Sequence, residues 1–569
     1  MKKALLFIVI FALAAGSCMA EEQRIIRKIT IEIADVFDEP DLQLAYRTVN
    51  SLKISTQNKV VKRELIFKEG DIYDEFVLKE SARNLRALPY FSEVLITPYF
   101  DGNQVDVNVR VQDTWTLFPY FGVNSGSGVN KQVAGISESN LLGFGKKLDF
   151  QVAKEEGRQK IEGIYDDLRF LGTFQRLTLG HFQRQDGNRS VAYWSKPFRS
   201  FTDKNSWQLS GDKFDLVGRL FNAGTESYIY RQDHQAFSSS YVFSKGDAEK
   251  SINRYGFGYD HLEDDFTQAS VKDYADISVN PRNLSNDPAM LADDRRFTGP
   301  TASYTRIEPD FISLNFIDRF ERVEDFNLGN SFFAKVQIAP EVLQSTRDTL
   351  IFNINQSDGL KFSPTSFLRA EAGAQFREDT HQISNMLMQA RLKYYNVLGP
   401  KYLSKVFIGN HTLAASLDVV SGEKMDRDFQ LLLGAGTGLR GYELRAFSGD
   451  HRALLNLEDR FHLYENVFKL VSVGGAVFFD AGTISQTSIG NSFSDGLYSD
   501  LGFGLRFGLP KSAGTTVLRF DVAFPMRDGL DGSQAYQPRF LLTAGQAFSA
   551  TIFSDVFSSR TGSPGFNPQ

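Results

Sequence analysis

The residues of this 569-residue chain that could carry chemistry are scattered. Gly436, Gly438 and Gly441 reproduce the spacing of a phosphate-cradling glycine loop. That loop works between a strand and a helix N-terminus, and neither a helical pattern nor a βαβ unit surrounds it here, so no dinucleotide site is expected. The seven histidines stand singly, none with a second ligand at metal-binding spacing. There is no GxSxG sequence, and the neighbouring carboxylates Asp264 and Asp265 fall in a stretch that reads as solvated loop. No catalytic group, metal or cofactor is expected, and the chain reads as a non-enzyme.

The N-terminus addresses the chain outward. Lys2 and Lys3 precede an apolar run from Ala4 to Ala15, too short for the ~20 residues of a spanning helix and followed by small residues ending in Ala20. Residues 1–20 are expected to be a secretory signal, with the mature chain starting at Glu21. The alternative, a lipid on Cys18, lacks the usual leucine three places earlier. Cleavage after Ala20 removes the single cysteine, so no disulfide or thiolate metal site is expected afterwards. The net charge of -6, with both signs interspersed, gives nucleic acid no basic surface. Fifty Phe, 21 Tyr and 46 Gly against 17 Pro suit strands, tight turns and aromatic girdles.

Two units must position whatever function exists. Residues 21–112 alone carry helical periodicity: an alternating strand over 24–33, a short helix within 56–67, a second capped by Asp74 with Leu78, Ala82 and Leu85 on one face, then strands over 94–99 and 105–111 around Asp101, Gly102 and Asn103. The order is β-α-α-β-β. Residues 113–553 read as short strands between Gly, Asn and Asp turns, with 262–298 and 340–365 expected as loops; 554–569 form a polar tail.

The last third alternates most clearly. Val471, Val473, Val477 and Phe479 oppose Ser472, Gly474, Ala476, Phe478 and Asp480; Leu455, Leu457 and Phe461 oppose Asn456, Glu458 and Arg460, with Asp459 spoiling the apolar face. Leu501, Phe503 and Leu505 oppose Asp500 and Arg506; Leu518, Phe520 and Val522 oppose Arg519 and Asp521. Apolar and charged faces on strands of about ten residues describe a barrel wall around a wet lumen. A soluble sandwich is the alternative, and there the apolar face would point inward.

GLRGYELRAFSGDHRALLNLEDRF (438–461), VFFDAGTI (477–484), SDLGFGLRFGLP (499–510) and LRFDVAFP (518–525) resemble the C-terminal barrel of the BamA and TamA superfamily of outer-membrane assembly and secretion proteins. Residues 24–112, with the run LRALPYFSEV, resemble one POTRA domain. The resemblance implies a mainly β fold: a transmembrane antiparallel barrel of about 16 strands behind one periplasmic domain, in the cell outer membrane. It also implies a loop folded into the lumen with the tip Arg440, Gly441 and Tyr442. Glu458 and Asp480, on inner faces of the next two strands, would hold the Arg440 fork. Unfolded outer-membrane or secreted polypeptides would be the partners, captured by strand addition along Ile25, Ile29 and Ile31 or along Val94 and Ile96, and inserted or translocated. The first and last barrel strands, about 116–123 and 540–552 with Gly545 in the latter, would form an opening seam. The alternative function is a passive or structural barrel without polypeptide clients. A single POTRA domain leaves the recruitment of accessory periplasmic proteins open.

Overall fold

The computed structural model describes residues 24–38, 44–124, 131–155, 158–270, 273, 284–380, 382–513 and 517–544. The signal segment 1–20, the start at Glu21, the final-strand residues 545–552 with Gly545, and the tail 554–569 lie outside the described residues.

The N-terminal unit is built on β1 (Ile25–Ala34), α1 (Leu44–Leu52), α2 (Asn58–Glu64), α3 (Glu75–Arg86), β2 (Phe91–Asp101) and β3 (Gln104–Asp113). Its sheet order is β1-β3-β2, with β1 parallel and β2 antiparallel to β3. Strand β3 is central because Val105, Val107, Val109 and Val111 alternate with polar residues, and all four are buried. Gly102, at a positive φ of 57°, makes the turn from β2 to β3. The Asp74 carboxylate accepts the Phe76 and Val77 N–H groups and so starts α3, which buries Leu78 and Leu85 in the core. Helix α1 is an addition to the two helices that periodicity indicated.

At the end of β3, buried Asp113 accepts the Thr56 N–H at 2.9 Å and the Thr56 hydroxyl at 2.6 Å, and pairs with buried Lys53. Asn140, from the second unit, donates to the same Thr56 hydroxyl at 2.7 Å. Asp113→Asn is therefore expected to leave Lys53 without its counter-charge and to cost about 1–3 kcal/mol. Hydrogen exchange of α2 and β3 in the whole chain should rise, with the large sheet unchanged.

The second unit is one large antiparallel sheet running from Leu117–Asn124 to Arg539–Ala544, with twenty strands in order among the described residues. The order brings the last strand beside the first, and the seam itself runs into residues outside the described set. The figure of about 16 strands came from the resemblance and not from the residue patterns. Five of the strands had no pattern that stood out in the sequence: Lys131–Glu138, Gly187–Lys196, Asn205–Asn222, Thr349–Ser363 and Val406–Glu423. The expected loop 340–365 is thus mostly strand Thr349–Ser363, and the expected loop 262–298 gives up both ends to Ser251–Gln268 and Arg295–Ile307.

The sheet is inside-out by the standard of a water-soluble protein. Val477, Leu501, Phe503 and Leu505 are about half exposed, whereas Asp480 and Asp500 are fully buried, and Glu458, Arg506 and Asp521 nearly so. A soluble sandwich requires the reverse. Charged residues line the interior and apolar residues cover the outside.

The N-terminal unit sits against one end of this sheet, on its short turns. Thr56, Gln57 and Arg63 meet residues 140–144, with the Arg63 guanidinium donating to the Phe144 carbonyl at 3.0 Å. Glu64 pairs with Arg169, and Glu80 accepts the Ser200 hydroxyl and the Phe201 N–H, both at 2.8 Å. Gly145 packs so closely on Tyr90 that a Cβ there would fall 2.6 Å from the ring hydroxyl, and its φ of 72° also favours glycine.

Candidate functional site

The long connection between strands Val406–Glu423 and His451–Val467 turns into the interior. A two-stranded stem, Leu431–Leu433 with Phe447–Gly449, carries it. At the tip, the Arg440 Nε and Nη2 donate to the two oxygens of Asp480 at 2.6 and 2.8 Å, and Nη1 donates to Glu458 at 2.6 Å. The Phe478 ring lies 3.4 Å beneath the guanidinium. Burial works against the charge on Arg440, but the Asp480 and Glu458 carboxylates outweigh it and raise its pKa above the ordinary value.

The neighbours of Arg440 fix the loop further. The Gly441 N–H donates to Asp500 at 2.8 Å, and a Cβ at Gly441 would lie 2.5 Å from the Asp500 Cβ, so only glycine fits. The Tyr442 hydroxyl donates toward the Ser499 and Arg527 carbonyls, 3.2 and 3.1 Å away, and its ring joins Leu433, Leu439, Phe447 and Tyr498 in a buried cluster. Asn456 donates to the Gly438 carbonyl at 2.6 Å and to Asp480 at 2.7 Å. The structure thus brings Arg440, Gly441, Tyr442, Glu458 and Asp480 together. Sequence reasoning did not assign Asp500, Asn456, Phe478 or Tyr498 to the loop; Asp500 and Phe478 were visible on inward faces, but nothing there told which contact a loop would make.

A second interior element was not recognised in the sequence. Between strands Arg295–Ile307 and Ser331–Ala339 the chain forms the hairpin Phe311–Leu314 with Glu324–Asn327. It enters the same interior from the end that faces the N-terminal unit. Ile312, Ile317, Phe326 and Leu328 pack on wall residues Phe367, Tyr395 and Ala414. His462 lies between Phe316 and Phe320, and Glu321 accepts the Ser472 hydroxyl at 2.6 Å. On its other side the hairpin holds the N-terminal unit: Arg86 forks onto Asp325 at 2.7 and 2.9 Å, Arg83 covers Phe311, and Arg322 donates to the Phe91 carbonyl. From the wall, Arg460 lies between the two interior elements: its Nε donates to Glu458, the carboxylate that also holds Arg440, and its Nη1 to the Ile317 carbonyl of the hairpin, both at 2.7 Å.

The hairpin is expected to respond to pH. Burial, reinforced by Asp318, pushes the Glu324 carboxyl up to about 7, although it accepts the Asp318 and Arg319 N–H groups. Arg319 opposes that rise from the hairpin, and Arg460 faces Asp318 from the wall. A solvated Glu324 titrates near its ordinary 4.5, so the seated hairpin binds the proton more tightly than the released one. Seating is therefore expected to strengthen as pH falls from about 7 toward 4.5 and to be weakest above 7. Proteolysis within 311–327 should be slower at pH 5.5 than at pH 8, and Glu324→Gln should flatten that difference.

The strand candidates in the N-terminal unit divide differently from expectation. Ile29, Ile31, Val94 and Ile96 are partly buried and pack against that unit's own core, and of the five only Ile25 is largely exposed. The backbone edges remain. The outer edge of β1 is strapped: Ile26 N–H donates to Asp71, Gly70 N–H to Ile26, and Tyr73 N–H to Arg24, at 2.8–2.9 Å, while Glu69 accepts the Ile29 N–H. Among the described residues β2 has no such strap beyond Phe91, and its outward side chains Leu95, Tyr99 and Phe100 are exposed. Among the described residues no group of three or more His, Cys, Asp or Glu is arranged to hold a metal ion.

Residues 48–113 match the family model for POTRA, described as surface antigen variable number repeat. Among curated proteins, outer membrane protein assembly factor BamA of Neorickettsia risticii (strain Illinois) is 28% identical over 206 residues, 35% of this chain and 25% of that protein. BamA of Buchnera aphidicola subsp. Acyrthosiphon pisum is 27% identical over 112 residues, 19% of this chain and 18% of that protein. The chain spans about a quarter or less of the length of these relatives. Among solved structures, CdiB from Acinetobacter baumannii superposes with a TM-score of 0.45 at 12% identity, covering 92% of this chain and 74% of that one. BamA from Haemophilus ducreyi lacking POTRA domains 1-3 superposes with a TM-score of 0.34 at 15% identity, covering 92% and 84%.

Proposed function

We propose that this chain, which belongs to the BamA/TamA-type outer-membrane assembly-factor superfamily, spans the outer membrane as a closed barrel and inserts or translocates polypeptides delivered by its periplasmic N-terminal unit. One observation carries this: a small sheet with one unstrapped edge is seated at the turn end of an inside-out sheet, on a hairpin that fills the interior. Exposed apolar strands around a charged interior support a wall in lipid. The free edge of β2 offers backbone donors and acceptors to an extended client, a contact that accepts many sequences. Pro98 lacks an N–H, so addition is confined mainly to the Ser92–Thr97 part of β2.

The interior holds two removable parts, the Arg440 loop from the far end and the 311–327 hairpin from the near end. A client on β2 lies beside Phe91, whose carbonyl takes Arg322 of the hairpin. Capture and hairpin release are thus adjacent events.

Photo-crosslinkers placed at Leu95 and Thr97 on β2 are expected to trap unfolded outer-membrane polypeptides in growing cells, and crosslinkers at Thr30 and Glu32 on β1 are not. Equal labelling of both edges would remove the strand-addition part of the proposal. No labelling at either, with unchanged outer-membrane and secreted proteomes after depletion, would favour a structural barrel.

A further inference from the structure

Two consecutive turns at the near end of the wall each hold a leucine in a backbone conformation that L-residues avoid. Leu142 has φ 54° and ψ 24°, and Leu171 has φ 56° and ψ 23°. A left-handed backbone costs free energy at any residue with a Cβ, so its use at matching positions of two turns marks a constraint. Packing is not that constraint. Leu142 is 56% and Leu171 81% exposed, and Ile54 of the N-terminal unit is 55% exposed. The Gln57 N–H donates to the Gly143 carbonyl at 3.1 Å and the Gln57 side-chain amide to the Leu142 carbonyl at 3.2 Å, which sets Ile54 and Ser55 beside the first turn. At the other end of α2, Glu64 pairs with Arg169 of the second turn. Helix α2 therefore lies across both turns. Its Val60, Val61 and Glu64 are buried, whereas Lys59 and Lys62, three residues apart, are exposed; Lys59 rests over the Phe144 ring at 4.6 Å, and neither has an ion-pair partner among the described residues.

The wall fixes the level of these turns. Leu148, Tyr165 and Leu179 form one cross-strand row of the outer surface, and the next row toward the N-terminal unit is Lys146, paired with Asp167, then Leu177 and Trp194. Leu148 and Leu179 are exposed. A row with lysine and tryptophan directly below exposed leucines is what a wall presents where lipid tails give way to headgroups. The Trp194 ring N–H donates to the Gln175 side chain of the second turn at 2.8 Å, so that turn begins at headgroup depth.

We propose that Ile54, Leu142 and Leu171 insert into the periplasmic leaflet and that Lys59 and Lys62 meet the phosphates of anionic phospholipids there, so that the N-terminal unit rests on the membrane as well as on the barrel. The placement rests on the membrane-spanning reading proposed above. Exposed apolar tips beside unpaired lysines are the combination by which a helix binds an anionic lipid surface. The patch is also continuous with the lipid-facing wall through Trp194 and Gln175. Such an anchor limits tilting of the unit about its junction with the turns.

The test uses the chain from Glu21 onward, which holds no cysteine, with Ser55→Cys carrying an environment-sensitive dye. Ser55 is exposed between Ile54 and the first turn. In nanodiscs of phosphatidylcholine mixed with phosphatidylglycerol, spin labels on the lipid headgroups are expected to quench the dye strongly. Quenching should fall severalfold in phosphatidylcholine alone or at high salt. Leu142→Asn together with Leu171→Asn should remove most of it, and asparagine adopts the left-handed backbone more readily than leucine, so the wall is not weakened. Lys59→Gln with Lys62→Gln should abolish the preference for phosphatidylglycerol. Heat-modifiable gel mobility confirms that each variant is folded. Equal quenching with and without the two asparagines in folded protein, or no preference for anionic lipid with both lysines present, would overturn the anchor. So would an unquenched dye that shifts only when periplasmic extract is added, which would give the patch to a soluble protein. A chain that stays soluble without detergent would instead overturn the membrane reading beneath it.

Discussion

Arg440→Ala is expected to release the interior loop while leaving the wall intact. Three short charge-assisted hydrogen bonds and the contact with Phe478 disappear together, and Asp480 and Glu458 remain buried without the cation between them. Truncating one partner of a buried, hydrogen-bonded ion group costs about 3–5 kcal/mol, because the orphaned charge stays out of water. Arg460 still holds Glu458, and Asn456 still donates to Asp480, so part of that cost is relieved. The strand ladders on either side depend on backbone hydrogen bonds, which the substitution does not touch. The loop should therefore become protease-sensitive in intact cells, with unchanged unheated gel mobility. Arg440→Lys should recover little, since a point charge cannot satisfy both oxygens of Asp480 and Glu458 at once. Gly441→Ala should resemble Arg440→Ala for a steric reason, the Cβ clash with Asp500. Wild-type protection of the loop in Arg440→Ala would sink the lock.

What the sequence disclosed follows from how local each signal is. Strands Val471–Ser485 and Tyr498–Gly508 were legible because every second residue is apolar and the intervening ones are small or charged, which has one structural meaning over ten residues. Strand Asn205–Asn222 was hidden because its outward row itself includes Lys213 and Asp215, which interrupt the alternation. Strand Thr349–Ser363 was hidden because Asn353, Asn355 and Ser357 lend it the composition of a loop. Glu458 and Asp480 could be placed on inner faces by parity, and the superfamily resemblance supplied Arg440. The interior hairpin had neither aid. Its strands are four residues each, and FISL and EDFN carry no period long enough to separate a buried hairpin from a solvated turn. Its position depends on Arg86, Phe91, Tyr395 and Arg460, which lie between 65 and 240 residues away in sequence, and no local pattern reports such distances.

Replacing residues 308–330 by a two-residue turn is expected to open the near end of the interior. Ile307 and Ser331 face each other as the last pair of their ladder, so a short hairpin turn can rejoin the strands without moving the wall. The replacement empties the space that Ile312, Ile317, Phe326 and Leu328 occupy, and it strips Arg86 and the Phe91 carbonyl of their partners across the junction. Barrels of 16–18 strands leave an aqueous channel when nothing fills them, and the described residues of this sheet form twenty strands. Single-channel conductance in planar bilayers should rise severalfold, with large polar antibiotics entering cells that carry the variant. The far end is still held by Arg440, so the double variant with Arg440→Ala should conduct more than the sum of the two alone. Arg460 is the reason for that excess: it donates to Glu458, the carboxylate that also holds Arg440, and to the Ile317 carbonyl of the hairpin, so each variant removes one neighbour of the same charged cluster and the two losses are coupled. Asp325→Ala should give a smaller opening, since it breaks only the Arg86 fork and leaves the apolar seat in place. If the hairpin replacement folds and stays electrically silent, alone and with Arg440→Ala, the interior is not closed by these two elements and the gating part of the proposed function fails.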